Sequence, residues 1–128
     1  MSVENTASLA QLNPKDINSV IIAAIQDIKG KNITKIDLTN IDDSPTDYFI
    51  ICEGDSTTQV NAIANSINKS TRETLGIKAF HTEGTNNCRW VLVDYFDTVV
   101  HIFHKETRTF YDIEDLWSDG KFTEYQDL

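Results

Sequence analysis

Three histidines, two cysteines and several neighbouring carboxylates are the side chains of this 128-residue chain that could do chemistry. A metal site would need such groups at ligand spacing. His101 and His104 would point to opposite faces of a strand, and His81 stands apart from both. Neither H-E-x-x-H nor paired C-x-x-C occurs. A nucleophile needs a base beside it. Cys52 lies in an apolar run and reads as a small hydrophobe, while Cys88 sits in a polar stretch with no activating neighbour. Neither G-x-x-x-x-G-K-[ST] nor G-x-G-x-x-G is present. Gly54-Asp55-Ser56 could hold an anion at a helix start, but Glu53 and Asp55 would repel phosphate, so a helix cap is expected. Nucleotidyl transfer on Mg²⁺ would need two or three converging carboxylates. Asp42-Asp43 falls in a turn, Asp94 and Asp97 flank a hairpin tip, and no Asp-x-Asp follows a Gly-Ser helix start. The expectation is a protein without catalytic residues, cofactor or metal.

The composition points the same way. The chain is 40% hydrophobic and 24% charged, an ordinary globular balance for one domain. Eleven Lys and Arg against twenty Asp and Glu leave a net charge of −9, which argues against nucleic-acid binding and suits a basic partner. Two cysteines make no disulfide framework. With no basic, apolar leader and no apolar run near membrane-spanning length, the chain is expected to be cytoplasmic, without a membrane partner.

The elements that must position any site are legible from spacing. Residues 1–12 read as a flexible lead-in. Asn13 as N-cap, Pro14 at the first helical position and Asp16 in the first turn open a helix. Its stripe is Ile17, Val20, Ile21, Ala24, Ile25 and Ile28, and Gly30 is expected to end it in the left-handed conformation. Residues 32–39 predict a short strand and 47–53 a stronger one, apolar on both parities and so expected to be covered on both faces. Ser56-x-x-Gln59 is a capping box opening a second helix, with Val60, Ile63, Ala64, Ile67 and Leu75 as its stripe and Gly76 as its end. A strand over 77–82, a polar loop over 83–88 and two strands over 89–95 and 98–104 follow. Residues 105–117 predict a short helix or turn packed by Phe110, Tyr111, Leu116 and Trp117, and 118–128 an acidic, frayed tail. The expected fold is α+β. One mixed sheet of about five strands carries two long helices on one face, in the order α-β-β-α-β-β-β-α, within one domain over 13–117.

The hairpin over 89–104 is the most informative stretch. With Phe96-Asp97 as a two-residue loop, Tyr95 pairs with Thr98 and Trp90 with Phe103. Alternation then puts Val91, Val93, Val100 and Ile102 on one face, a bed for helices. The other face gathers Trp90, Leu92, Asp94, Val99, His101 and Phe103, a mixture that suits recognition. The last segment, with Leu116 and Trp117, could cover that face from within the chain. Two long helices cover only one side, however, which leaves a remainder for a partner or a second copy.

An ordered set of residues resembles the ribosomal silencing factor (Iojap-like) family. The set is Thr46-Asp47-Tyr48-Phe49-Ile50-Ile51, Gly54 with Ser56 and Gln59-Val60, Glu83-Gly84, Arg89-Trp90-Val91-Leu92-Val93-Asp94-Tyr95, Val99-Val100-His101-Ile102-Phe103, Arg108-Thr109-Phe110-Tyr111-Asp112 and Leu116-Trp117. The resemblance implies a fold similar to nucleotidyltransferases without their catalytic residues. It also implies binding to the large ribosomal subunit through the fourteenth protein of the L series, blocking subunit joining and lowering translation when nutrients are short. The resemblance puts Trp90 in that contact; the hairpin's alternation then adds Leu92, Val99, His101 and Phe103 around it, and Asp94 and Glu83 are expected at its rim. Phe96 departs from the family, standing where a glycine is usual. A small metal-dependent nucleotidyltransferase or nucleotide-binding protein is the competing expectation, and a homodimer off the ribosome a third.

Overall fold

The structure, a computed structural model, describes residues 6–7 and 16–128. The elements are β1 (Thr6–Ala7), α1 (Ile17–Asp27), β2 (Lys31–Asp37), β3 (Tyr48–Gly54), α2 (Thr57–Leu75), β4 (His81–Glu83), β5 (Trp90–Asp94), β6 (Thr98–His104), α3 (Lys105–Tyr111), α4 (Ile113–Leu116) and β7 (Lys121–Tyr125). They form one mixed sheet in the order β1-β7-β2-β3-β6-β5-β4. The β3–β6 and β1–β7 pairs are parallel and the others antiparallel.

The two long helices pack together on one face. Ile21, Ala24 and Ile25 of α1 and Val60, Ile63, Ala64 and Ile67 of α2 bury against Ile50, Cys52, Val91, Val93, Val100 and Ile102. Ser56 caps α2 by accepting from the Gln59 N–H at 3.1 Å, and Gln59 Oε1 accepts from the Asp55 N–H at 2.7 Å. The same Gln59 amide donates to the carbonyls of Ile28 and Lys29, so the start of α2 is tied to the end of α1. Gly76 ends α2 at φ +67 as its sequence suggests. Leu75, expected in the stripe, is only half-buried in the last turn.

Several boundaries differ from expectation for local reasons. The cap assigned to Asn13 and Pro14 lies outside the described residues; α1 starts at Ile17 with Asp16 as N-cap. The left-handed residue after α1 is Lys29 (φ +61), not Gly30. Gly30 serves close approach instead, since a Cβ there would lie 2.4 Å from Ile25 Cγ2. Of the strand expected over 77–82 only His81 and Thr82 pair, β4 running on to Glu83, and Ile77 is exposed.

The larger corrections concern the sheet's far edge and second face. The tail is not frayed throughout. Lys121–Tyr125 pair with β2, from Ile33↔Tyr125 to Asp37↔Lys121, which gives an otherwise bare edge its hydrogen-bond partner and raises the strand count to seven. Of the lead-in, Thr6–Ala7 lie beside β7 and the rest is outside the described residues. The second face has helical cover of its own. Ile113, Trp117 and Phe122 pack with Ile36, Leu38, Phe49, Ile51 and Phe103 in a second core. This accounts for β3 being apolar on both parities, with Phe49 and Ile51 on one side and Ile50 and Cys52 on the other.

Candidate functional site

Pairing in the β5–β6 hairpin runs from Trp90↔Phe103 through Leu92↔His101 to Asp94↔Val99, the register inferred from a two-residue loop. Phe96 takes φ +72 in the turn, a left-handed conformation that an aromatic residue adopts only under constraint. The constraint is visible. Its N–H donates to Asp94 Oδ1 at 2.8 Å, and its carbonyl accepts from the Thr46 hydroxyl at 2.6 Å. Asp94 is therefore partly committed to the turn.

On the second face the sheet divides into two halves. Over β6, β3 and β2 the chain covers itself: Trp117 meets Phe49 edge-on at 5.7 Å, and Ile113 is buried beside them. Beyond Trp90, the described residues of β5 and β4 contribute nothing to this second core. Leu92 and Asp94 are half-buried, and β4 adds exposed His81 and Glu83, whose side chains meet at 3.1 Å, whereas Val99 of β6 packs against the second core. Trp90 stands at the border, half-buried, its ring 4.9 Å from Phe103 and 4.8 Å from Tyr111.

Phe103 and His101 therefore cannot form the outer surface to which the sequence assigned them. Phe103 is fully buried and His101 is 5% exposed, because α3, α4 and Trp117 reach further across the sheet than two long helices alone suggested. His101 Nδ1 accepts the Trp90 indole N–H at 3.1 Å, while Nε2 is buried with no hydrogen-bond partner among the described residues. Burial pulls the His101 pKa down to about 4, so the ring is neutral near pH 7. A buried polar group left unpaired costs about 1–3 kcal/mol.

Of the four residues expected to pack the last segment, Trp117 does so, while Phe110, Tyr111 and Leu116 are exposed. None of α3 is buried; Phe110 is 80% exposed, Tyr111 49%, and Leu116 of α4 75%. A signal for this was present, since the positions three and four before Phe110 and Tyr111 are Glu106, Thr107 and Arg108, so α3 has no apolar stripe. They line an open groove of about 500 Å³ with Gly84, Asn87, Arg89, Trp90 and Glu106. What holds α3 down is Arg108. It donates to Glu53 Oε1 at 3.0 Å, to the Asn32 carbonyl at 2.6 Å and to Glu114 Oε2 at 3.0 Å.

Both cysteines are enclosed. Cys52 is buried and its thiol is pushed up to about 12 by burial, while Cys88 is buried with its thiol donating to the Thr85 carbonyl. His104 Nδ1 accepts from the Glu106 N–H at the start of α3. Among the described residues no three His, Cys, Asp or Glu side chains gather where they could hold a metal ion, and no helix is long and apolar enough to cross a membrane. What the site offers is an apolar, tryptophan-bordered surface with carboxylates at its rim.

Comparison with known proteins gives a consistent set of relatives. A family model described as ribosomal silencing factor during starvation matches residues 11–128. The ribosomal silencing factor RsfS of Bacillus subtilis is 42% identical over 109 residues, covering 85% of this chain and 91% of that one. A crystal structure of a Chromobacterium violaceum protein superposes with a TM-score of 0.76 at 40% identity, covering 83% of this chain and 87% of the other. A mouse protein named for mitochondrial assembly of the ribosomal large subunit is 32% identical over 80 residues, covering 60% of this chain and 35% of its own.

Proposed function

The chain belongs to the ribosomal silencing factor family, and from that premise we propose that it binds the large ribosomal subunit through the fourteenth protein of the L series and sterically blocks joining of the small subunit. The observation that carries this reading is the half-sheet over β4 and β5, which the described chain leaves uncovered beside a half-buried Trp90 and an exposed Phe110 and Tyr111. A large aromatic at the border of a well-packed core is the kind of group that dominates interface energetics. The net charge of −9 favours approach to a basic ribosomal protein, and Glu83 at the rim acts on encounter rate and salt dependence. Occlusion needs no bond-making step, so the absence of an activated nucleophile among the described residues costs this mechanism nothing. Translation falls because a subunit carrying the factor cannot accept its partner. The name of the mouse relative, which refers to the large subunit, supports the same side of the ribosome. No observation favours the nucleotidyltransferase reading.

The test is co-sedimentation of the protein with purified large subunits, followed by a subunit-joining assay. Wild type is expected to pellet with the subunit and to reduce joining. Trp90→Ala should weaken binding by about 2 kcal/mol, more than tenfold. Equal recovery of both proteins would remove Trp90 from the interface, and recovery of neither would overturn the proposed function.

A further inference from the structure

Beneath Trp90 lies a histidine where an aliphatic or aromatic residue would pack without penalty. His101 sits on β6, 5% exposed, with Phe49 edge-on at 4.6 Å and Phe103 at 6.3 Å. The indole nitrogen can only donate, so the 3.1 Å contact makes His101 Nδ1 an acceptor without a proton. The neutral ring then carries its proton on Nε2, and that N–H is buried with no acceptor among the described residues. A leucine here would remove that orphaned donor but also take away the acceptor of the half-buried Trp90 indole N–H, so packing alone gives histidine no advantage. Among the described residues, the one polar contact the ring makes is the one to Trp90.

We propose that His101 is a positioning residue, fixing the Trp90 indole in a single orientation at the border of the uncovered half-sheet. The χ2 torsion of tryptophan is broad, and the flanking contacts with Phe103 and Tyr111 are aromatic faces that tolerate more than one ring angle. The directed bond to Nδ1 removes that freedom before a partner arrives, which lowers the ordering cost of binding. The consequence for affinity rests on the proposed ribosome-binding role; the orientation itself is a property of the isolated protein.

Two substitutions separate positioning from packing. His101→Leu keeps the apolar volume but removes the acceptor. His101→Asn loses volume but places Oδ1 where Nδ1 stands, so it can still accept the indole N–H. The readouts are the Trp90 indole N–H resonance, distinguished from that of Trp117 in a Trp117→Phe background, the unfolding midpoint, and affinity for purified large subunits. In the Leu variant the midpoint is expected to hold or rise, the indole resonance to move and exchange faster with water, and affinity to fall about tenfold. The Asn variant should lose stability yet keep the wild-type indole resonance and an affinity within about threefold of wild type. Affinity that follows the unfolding midpoint instead, weak in Asn and unchanged in Leu, would overturn the inference. If wild type itself fails to bind, the functional reading falls. The indole resonance then decides separately, and an unchanged signal in the Leu variant would refute positioning.

Discussion

Replacing Arg108 with methionine should loosen this fold markedly. One guanidinium joins three places: Glu53 at the end of β3, the Asn32 carbonyl in β2 and Glu114 in α4. The side chains of Arg108, Glu53 and Glu114 are 11%, 16% and 25% exposed. Methionine keeps most of the stem's apolar contact and leaves two half-enclosed carboxylates and a carbonyl without their donor. Breaking a fully buried ion pair costs about 3–5 kcal/mol, and partial access of water to both carboxylates brings the expectation here to about 2–3 kcal/mol. For a domain of this size that is a fall in Tm of about 10 °C. Arg108→Lys keeps the charge but not the fork, so it should lose about half as much. Denaturant unfolding followed by circular dichroism measures both, with the slope expected to stay constant. Because no residue of α3 is buried, the same change should also release Phe110 and Tyr111 and reduce binding to large subunits. A methionine variant within about 0.5 kcal/mol of wild type would refute the reasoning.

Acid should weaken the fold in part through His101. Its pKa is held near 4 in the folded state against an ordinary 6.5, so the unfolded chain takes up the proton first. That stability is complete above about pH 6.5 and lost as pH falls towards 4, by about 3 kcal/mol in all, and His101→Leu should lack this component when the two pH profiles are subtracted. Identical profiles would contradict it. Gly84→Ala should cost at least about 2 kcal/mol and shift the Trp90 indole resonance, because Gly84 lies at φ +90 and a Cβ there would fall 2.0 Å from the Trp90 carbonyl oxygen. An alanine variant with wild-type stability would mean that the loop can move aside. Alkylation of Cys52 in native protein should proceed only as fast as unfolding, since its thiol is buried and held near 12.

Much of the helix face was legible in advance because its signals are local. The stripes of α1 and α2, the Ser56 cap, the Gly76 end and the alternation of the β5–β6 hairpin each depend on neighbours within a few residues, and the pairing followed from a two-residue loop. The exceptions were also local in cause. Gly30 looked like a left-handed end because glycine commonly takes that role, whereas here it makes room for Ile25 and Lys29 takes the positive φ.

The second face was misread because its cover comes from far along the chain. Whether Leu116 or Ile113 faces inward, and whether residues 121–125 fray or pair, depends on how α3 is clamped by Arg108 and on β2 presenting an open edge. The residue order carries the alternation, the charge excess and the tryptophan. Which part of the tryptophan's face is left open, and that the histidine beside it is buried, was settled by the docking of a short C-terminal segment. The reason is that burial depends on what packs from a distance, while periodicity and capping depend on adjacent turns.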